Sequence, residues 1–167
     1  MATINKNLSE YNPETVPSGA EMTIGIVVAE WNHNVTGNLL AGAKQTLLEN
    51  GVMEENIHIT WVPGSFELPL GAQFLLENDK VDGVVCLGCV IQGETKHFDF
   101  VCQGTTQGIM DLNLKYNKPV IFGLLTDNTL QQSLDRSGGK HGNKGIECAI
   151  TAIKMIAIKK QLGVACL

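Results

Sequence analysis

From residue 23 onward the chain alternates short, nearly unbroken apolar runs with longer amphipathic segments. No other feature constrains the fold as tightly. A run without polar alternation has to be buried on both faces, as a parallel strand is, and the intervening segments are long enough to be the helices that cover it. The first run is residues 23–29. Leu39, Leu40, Ala43 and Leu47 then follow at helical spacing, closed by Asn50-Gly51, where a left-handed residue commonly ends a helix. A second run covers residues 57–62. The helix after it starts near residues 66–68, because Pro69 is comfortable only in a first turn, and ends about Asn78. The third run is residues 81–90, and its helix extends from Thr95 or His97 to Tyr116. Lys118-Pro119 opens the fourth run, residues 120–125. Residues 126–136 read as a short helix and residues 137–142 as a glycine-rich linker. A last helix starts at Asn143, with Ile146, Ala149, Ile150, Ile153 and Ala157 on one face. Its Lys154, Lys159 and Lys160 favour the carboxyl-terminal half, where the helix dipole is negative.

Such alternation predicts a doubly wound α/β domain: a four-stranded parallel sheet in the order 2-1-3-4 with helices on both faces. Ligands of such sheets sit beyond the carboxyl ends of the strands where the winding reverses, here between strands one and three. With 167 residues, 44% of them hydrophobic, the chain suits a single core, residues 23–167. Residues 1–22, with Pro13, Pro17 and no sustained period, read as an amino-terminal arm. The formal charge of -5 and the lack of any Lys/Arg run argue against nucleic-acid or membrane-surface binding. No stretch approaches the roughly 18 to 20 apolar residues of a membrane span, and no apolar signal core opens the chain. The expectation is a soluble, cytoplasmic protein.

The strand-end loops carry the candidate chemistry. After the first strand, Trp31 and Asn32 suit stacking on a flat heterocycle, although a Trp there also serves as a lid on a core. After the second, Pro63-Gly64-Ser65-Phe66-Glu67 offers free amides at a helix start, a hydroxyl, and a carboxylate able to accept from ligand hydroxyls. Helix capping and dipole pairing would explain Ser65 and Glu67 equally well. After the third comes Gly88-Cys-Val-Ile-Gln-Gly-Glu-Thr-Lys-His-Phe98, whose turn offers helix-start amides and the Thr95 hydroxyl to an anion. Glu94 would oppose an anion unless its side chain points away. His97 follows in the first turn, the residue best suited to move protons both ways near neutral pH. Arg136, the single arginine, is followed by Lys140 in the glycine-rich segment, where it could bind phosphate or form a surface ion pair.

Other chemistries find no support. The five cysteines form no zinc-type cluster, and Cys86-x-x-Cys89 ends a strand rather than opening a helix, so buried reduced thiols are expected. The glycine-rich segments fit neither a P-loop nor a dinucleotide fingerprint. No nucleophile elbow or H-E-x-x-H motif occurs, so hydrolase and metalloprotease readings drop out.

Four segments together resemble the 6,7-dimethyl-8-ribityllumazine synthases: Val62-Pro-Gly-Ser-Phe-Glu-Leu-Pro69, the 88–98 segment, Val120-Ile-Phe-Gly-Leu-Leu-Thr126, and Arg136-Ser-Gly-Gly-Lys-His-Gly-Asn-Lys-Gly-Ile-Glu147. The likeness covers roughly residues 22–160. It implies a flavodoxin-like three-layer sandwich that condenses 5-amino-6-(D-ribitylamino)uracil with 3,4-dihydroxy-2-butanone 4-phosphate, releasing phosphate and water without a cofactor. It assigns stacking to Trp31 beside Asn32, ribityl binding to Ser65, Phe66 and Glu67, and the pyrimidine face to Val90 and Ile91. Thr95 and the backbone of Glu94 match the phosphate turn with Arg136 as cationic partner, and His97 matches the proton-transfer residue. Phe122 and Lys140 match positions supplied by an adjacent subunit. Trp31 stands where Phe is common, and Gln92 where a basic residue is frequent. The resemblance further implies a homopentamer, and the linker without insertion looks like that of the 60-subunit shells, whose candidate cargo is riboflavin synthase. The arm would add a strand to a neighbour's sheet. Two rival readings are a flavin-binding electron carrier on the same fold and a structural cage with a dispensable site.

Overall fold

The structure, a computed structural model, describes residue 7, residues 9–78 and residues 81–163. The elements run β1 (Ile24–Ala29), α1 (His33–Glu49), β2 (Ile57–Val62), α2 (Leu68–Asn78), β3 (Gly83–Ile91) and α3 (His97–Tyr116). They continue through β4 (Val120–Asp127), α4 (Leu130–Arg136), β5 (Ser137–Gly139), β6 (Gly142–Asn143) and α5 (Lys144–Gln161). The four long strands form one parallel sheet in the expected order β2-β1-β3-β4.

Central strands β1 and β3 are apolar almost throughout because each strand presents alternate residues to two separate cores. Ile24, Ile26 and Val28 of β1 pack with Val35, Leu39, Ala43 and Leu47 of α1 and with Ala149, Ile153 and Ile156 of α5. Val27 and Ala29 turn to the other layer, against Leu68, Ala72 and Leu75 of α2 and Ile109 and Leu112 of α3. The result is the three-layer sandwich. Helix α5 crosses α1 so closely that a Cβ on Gly145 would lie 2.0 Å from the Leu39 carbonyl oxygen. Asn143 locks that crossing: its amide donates to the Asn38 carbonyl at 2.8 Å, and its side-chain oxygen accepts from the Gly145 N–H at 2.8 Å.

Three boundaries differ from the sequence expectation. Val81 is buried but precedes the ladder, because Asp82 turns its carboxylate to accept from the Thr23 N–H at 2.8 Å. Strand β4 continues through Thr126 and Asp127, paired to Val90 and Ile91, so α4 begins only at Leu130. Thr129 caps it in a capping box with Gln132. Residues 137–142 are not a plain linker: β5 and β6 form an antiparallel ladder whose tight return uses Gly138 at φ 120° and Gly142 at φ 82°. Met22, next to β1, is buried in the α1/α5 core, and Ser9 exchanges hydrogen bonds with the Asn143 backbone.

Candidate active site

The crevice lies where topology places it, at the carboxyl ends of β1, β2 and β3 on the α2/α3 side. Its volume is ≈ 580 Å³. Trp31, Asn32, Ser65, Phe66, Glu67, Val90, Ile91 and His97, all singled out from the sequence, line it together with Gly64, Cys89, Phe100 and Val101. Phe100 and Val101 went unread, although a helix starting at His97 returns to the same face three and four residues later.

Each loop is fixed by a local device. Asn32 adopts a left-handed conformation, φ 60° and ψ 44°, which an Asn tolerates better than most residues. Its side-chain amide donates to the Cys89 carbonyl at 2.9 Å, tying the β1 loop to β3 and leaving Trp31 73% exposed at the rim. After β2, a single 3-10 turn, Ser65–Glu67, lies on α3. The Thr105 hydroxyl donates to the Ser65 carbonyl at 3.0 Å, and the Phe66 ring occupies the space a Cβ on Gly104 would need. Gly108, one turn on, makes the same room for Pro69. This Gly104/Gly108 spacing was the available signal for how Phe66 is seated. The Ser65 hydroxyl is buried and finds no hydrogen-bond partner among the described residues. A buried orphan hydroxyl costs about 1 to 3 kcal/mol, so a ligand oxygen or nitrogen would relieve it.

Beyond β3, the Gln92 N–H donates to the Asp127 carbonyl at 2.8 Å before the 93–96 turn leads into α3. The N-cap residue of α3, Lys96, makes no side-chain cap, and although the Asp99 N–H donates to the Lys96 carbonyl at 3.0 Å, the Phe98 N–H remains available to an anion. Thr95 accepts only a long bond, 3.4 Å, from the His97 N–H. Glu94 and Thr95 are exposed beside His97 without lining the crevice.

Arg136, Lys140 and Phe122 lie elsewhere. The Arg136 guanidinium donates to the His141 carbonyl at 2.7 Å and pairs with Glu147 at 2.5 Å. Lys140 pairs with Asp135 at 3.1 Å. Phe122 opens onto a second depression with Phe98, Cys102 and Thr126, on the other side of α3. Within one chain, therefore, the aromatic, hydroxyl, carboxylate and imidazole groups are gathered, whereas the cations are not.

Cys86, Cys89, Cys102 and Cys148 are free thiols, and Cys86 and Cys89 lie within β3 rather than at a helix start. Burial pushes the Cys86 thiol up, and burial likewise raises Cys148 to about 12. Cys166 lies outside the described residues. Among the described residues no cluster of acidic, His or Cys side chains is placed to hold a metal, and no helix is long and apolar enough to cross a membrane.

A doubly wound sheet whose switch point carries an aromatic-lined crevice with one hydroxyl, one carboxylate and one histidine has the architecture of a flavodoxin-like small-molecule enzyme. The family model described as 6,7-dimethyl-8-ribityllumazine synthase matches residues 21–160. A protein of that name from Parabacteroides distasonis is 60% identical over 156 residues, covering 93% of this chain and 98% of the relative. One from Flavobacterium johnsoniae is 57% identical over 166 residues, covering 99% and 87%. One from Phocaeicola vulgatus is 54% identical over 162 residues, covering 97% and 96%. The chain belongs to the 6,7-dimethyl-8-ribityllumazine synthase family, transferases of riboflavin biosynthesis.

Proposed function

We propose that the protein condenses 5-amino-6-(D-ribitylamino)uracil with 3,4-dihydroxy-2-butanone 4-phosphate to 6,7-dimethyl-8-ribityllumazine, releasing phosphate and water. The observation that carries this reading is the convergence of Trp31, the Ser65–Glu67 turn, the end of β3 and His97 on one crevice. The pyrimidine lies against Val90 and Ile91 with Trp31 stacked at the rim. The ribityl chain runs along the 3-10 turn, where Glu67 accepts from its hydroxyls and the Ser65 hydroxyl gains its missing partner. The phosphate sits on the amides of Glu94 and Thr95 and on the Thr95 hydroxyl at the uncapped start of α3.

The chemistry asks for positioning and proton transfer, and no cofactor enters it. The 5-amino nitrogen adds to the ketone carbonyl and water leaves, giving an imine. Loss of a carbon-bound proton expels phosphate. After tautomerisation the ribityl-bearing nitrogen attacks the remaining carbonyl, and loss of a second water closes the ring. His97 takes and returns these protons.

Arg136, Phe122 and Lys140, which lie outside their own chain's crevice, complete the crevice of an adjacent subunit. Exposed apolar side chains support such an assembly: Phe66 of the 3-10 turn and Leu70 and Phe74 of α2 recur every four residues, and Phe100, Met110 and Leu114 are exposed on α3. The proposed assembly is a homopentamer built into a 60-subunit shell in the cytoplasm, with riboflavin synthase as its candidate cargo. Light scattering tests this, and a lone pentamer would refute the shell.

Mixing the purified protein with both substrates should generate the lumazine chromophore, more slowly with His97→Ala and with Arg136→Ala. Formation no faster than the spontaneous reaction would overturn the assignment.

A further inference from the structure

Behind the crevice, three side chains from three elements form a hydrogen-bonded relay that the proposed chemistry does not use. The Cys89 thiol of β3 donates to the Ser133 hydroxyl of α4 at 3.3 Å, and that hydroxyl donates to the Asp127 carboxylate at the end of β4 at 2.7 Å. Cys89 and Ser133 are 1% and 0% exposed, so the link between them does not compete with bulk water, and the relay's one charged member is its half-buried terminal acceptor, Asp127. Of the three, only Cys89 lines the crevice.

Cys89 is held from the opposite side as well. Its carbonyl accepts the Asn32 side-chain amide at 2.9 Å, so one residue takes a tie from the Trp31 loop through its backbone and a tie from α4 through its sulfur. Its neighbours Val90 and Ile91 pair with Thr126 and Asp127, and the Asp127 carbonyl accepts from Gln92 where the 93–96 turn begins. A shift of the end of β3 relative to the Trp31 loop thus strains the part-buried Asn32 bond on one side or the buried Ser133 bond on the other. Burial is also the main influence raising the Cys89 thiol, which keeps it a donor rather than a nucleophile.

We infer that Ser133 and Asp127 are positioning residues for the flat heterocycle, acting through Cys89 to set the spacing between the end of β3 and the Trp31 loop. This rests on the proposed placement of the ribitylaminouracil against Val90 and Ile91. A relay serving only to anchor α4 would affect the whole molecule; a positioning relay affects one substrate.

The test is a double-mutant cycle read in steady-state kinetics with both substrates varied, alongside thermal melts. Ser133→Ala removes the middle of the relay and should raise KM for the ribitylaminouracil about three- to tenfold, the worth of one net hydrogen bond, with kcat within about twofold. KM for the butanone phosphate should stay unchanged. Cys89→Ala should give a similar rise, and the double variant no more than either alone, because the relay is already broken. Asp127→Asn keeps the shape and an acceptor oxygen but loses the charge, and should give a smaller rise in the same KM. The inference is overturned if Ser133→Ala leaves that KM unchanged, if its effect multiplies with that of Cys89→Ala, or if both KM values rise together with a lowered melting temperature. Wild-type protein without turnover would instead sink the functional reading on which the inference rests.

Discussion

Gly145 is the position where the packing of α5 on α1 is most exposed to a single methyl group. A Cβ there would sit 2.0 Å from the Leu39 carbonyl oxygen and 2.8 Å from its carbon. Non-bonded heavy atoms settle at about 3.5 Å, so the helices have to part by roughly 1.5 Å. Overpacking of this kind costs about 1 to 3 kcal/mol. The displacement also strains two Asn143 bonds of 2.8 Å each, contributing about 0.5 to 1.5 kcal/mol apiece. Against this, Ala is favoured over Gly in a helix by about 1 kcal/mol. The balance for Gly145→Ala is a loss of about 3 kcal/mol, or about 6 to 12 °C in melting temperature for a chain of this size. Gly37→Ala is the matched control, since it meets only His33 Nε2 at 3.9 Å in α1. It should gain about 0.5 to 1 kcal/mol. Far-ultraviolet circular dichroism melts at one protein concentration compare the two variants with wild type. A Gly145→Ala protein melting at or above wild type would refute the reasoning, because the interhelical contact would then have slack.

Removing the orphan hydroxyl with Ser65→Ala should raise the melting temperature of the ligand-free protein by about 2 to 4 °C per kcal/mol of the relieved cost while raising KM for the ribitylaminouracil several-fold; an unchanged KM would mean that the hydroxyl meets no ligand atom. The buried thiols predict an alkaline instability. Unfolding returns Cys86 and Cys148 to about 8.5, so the unfolded chain releases their protons while the folded one, with Cys148 at about 12, holds them. Each thiol then removes about 1.4 kcal/mol of stability per pH unit as pH rises above about 9. Urea titrations in reductant over that range should be shallower in pH for Cys148→Ala than for wild type, and equal slopes would contradict the assignment.

The sheet was readable because β1 and β3 are buried on both faces, a demand that only unbroken apolar runs satisfy. The long crossovers made the sheet parallel and doubly wound, the order 2-1-3-4 being one winding they allow and the one the structure has, and helix limits followed from Gly51, Pro69 and Asn143, each bound to one conformation or one end. The β5–β6 ladder escaped because Ser137, Gly138, Gly139 and Gly142 carry no apolar period; its return depends on positive φ at Gly138 and Gly142, which no hydrophobic pattern announces. Most of the crevice was also legible, since a strand-end position with a polar or aromatic residue is conspicuous beside apolar runs. What one chain's sequence could not convey was that Arg136 faces Glu147, since that pairing depends on how α4, the ladder and α5 fold back on one another. The Cys89–Ser133–Asp127 relay was hidden for the same reason: its members stand 44 and 6 positions apart and look unremarkable singly.

The apolar side chains left bare on α2 and α3 make the lone subunit a poor end state, with Leu114 76% exposed and Phe100 68%. In the proposed assembly, covering them would link folding to mass action: the melting temperature should climb with protein concentration, and diluting the protein should cost stability and turnover in step. Specific activity measured across a dilution series would therefore serve as a gauge of how strongly the subunits hold one another.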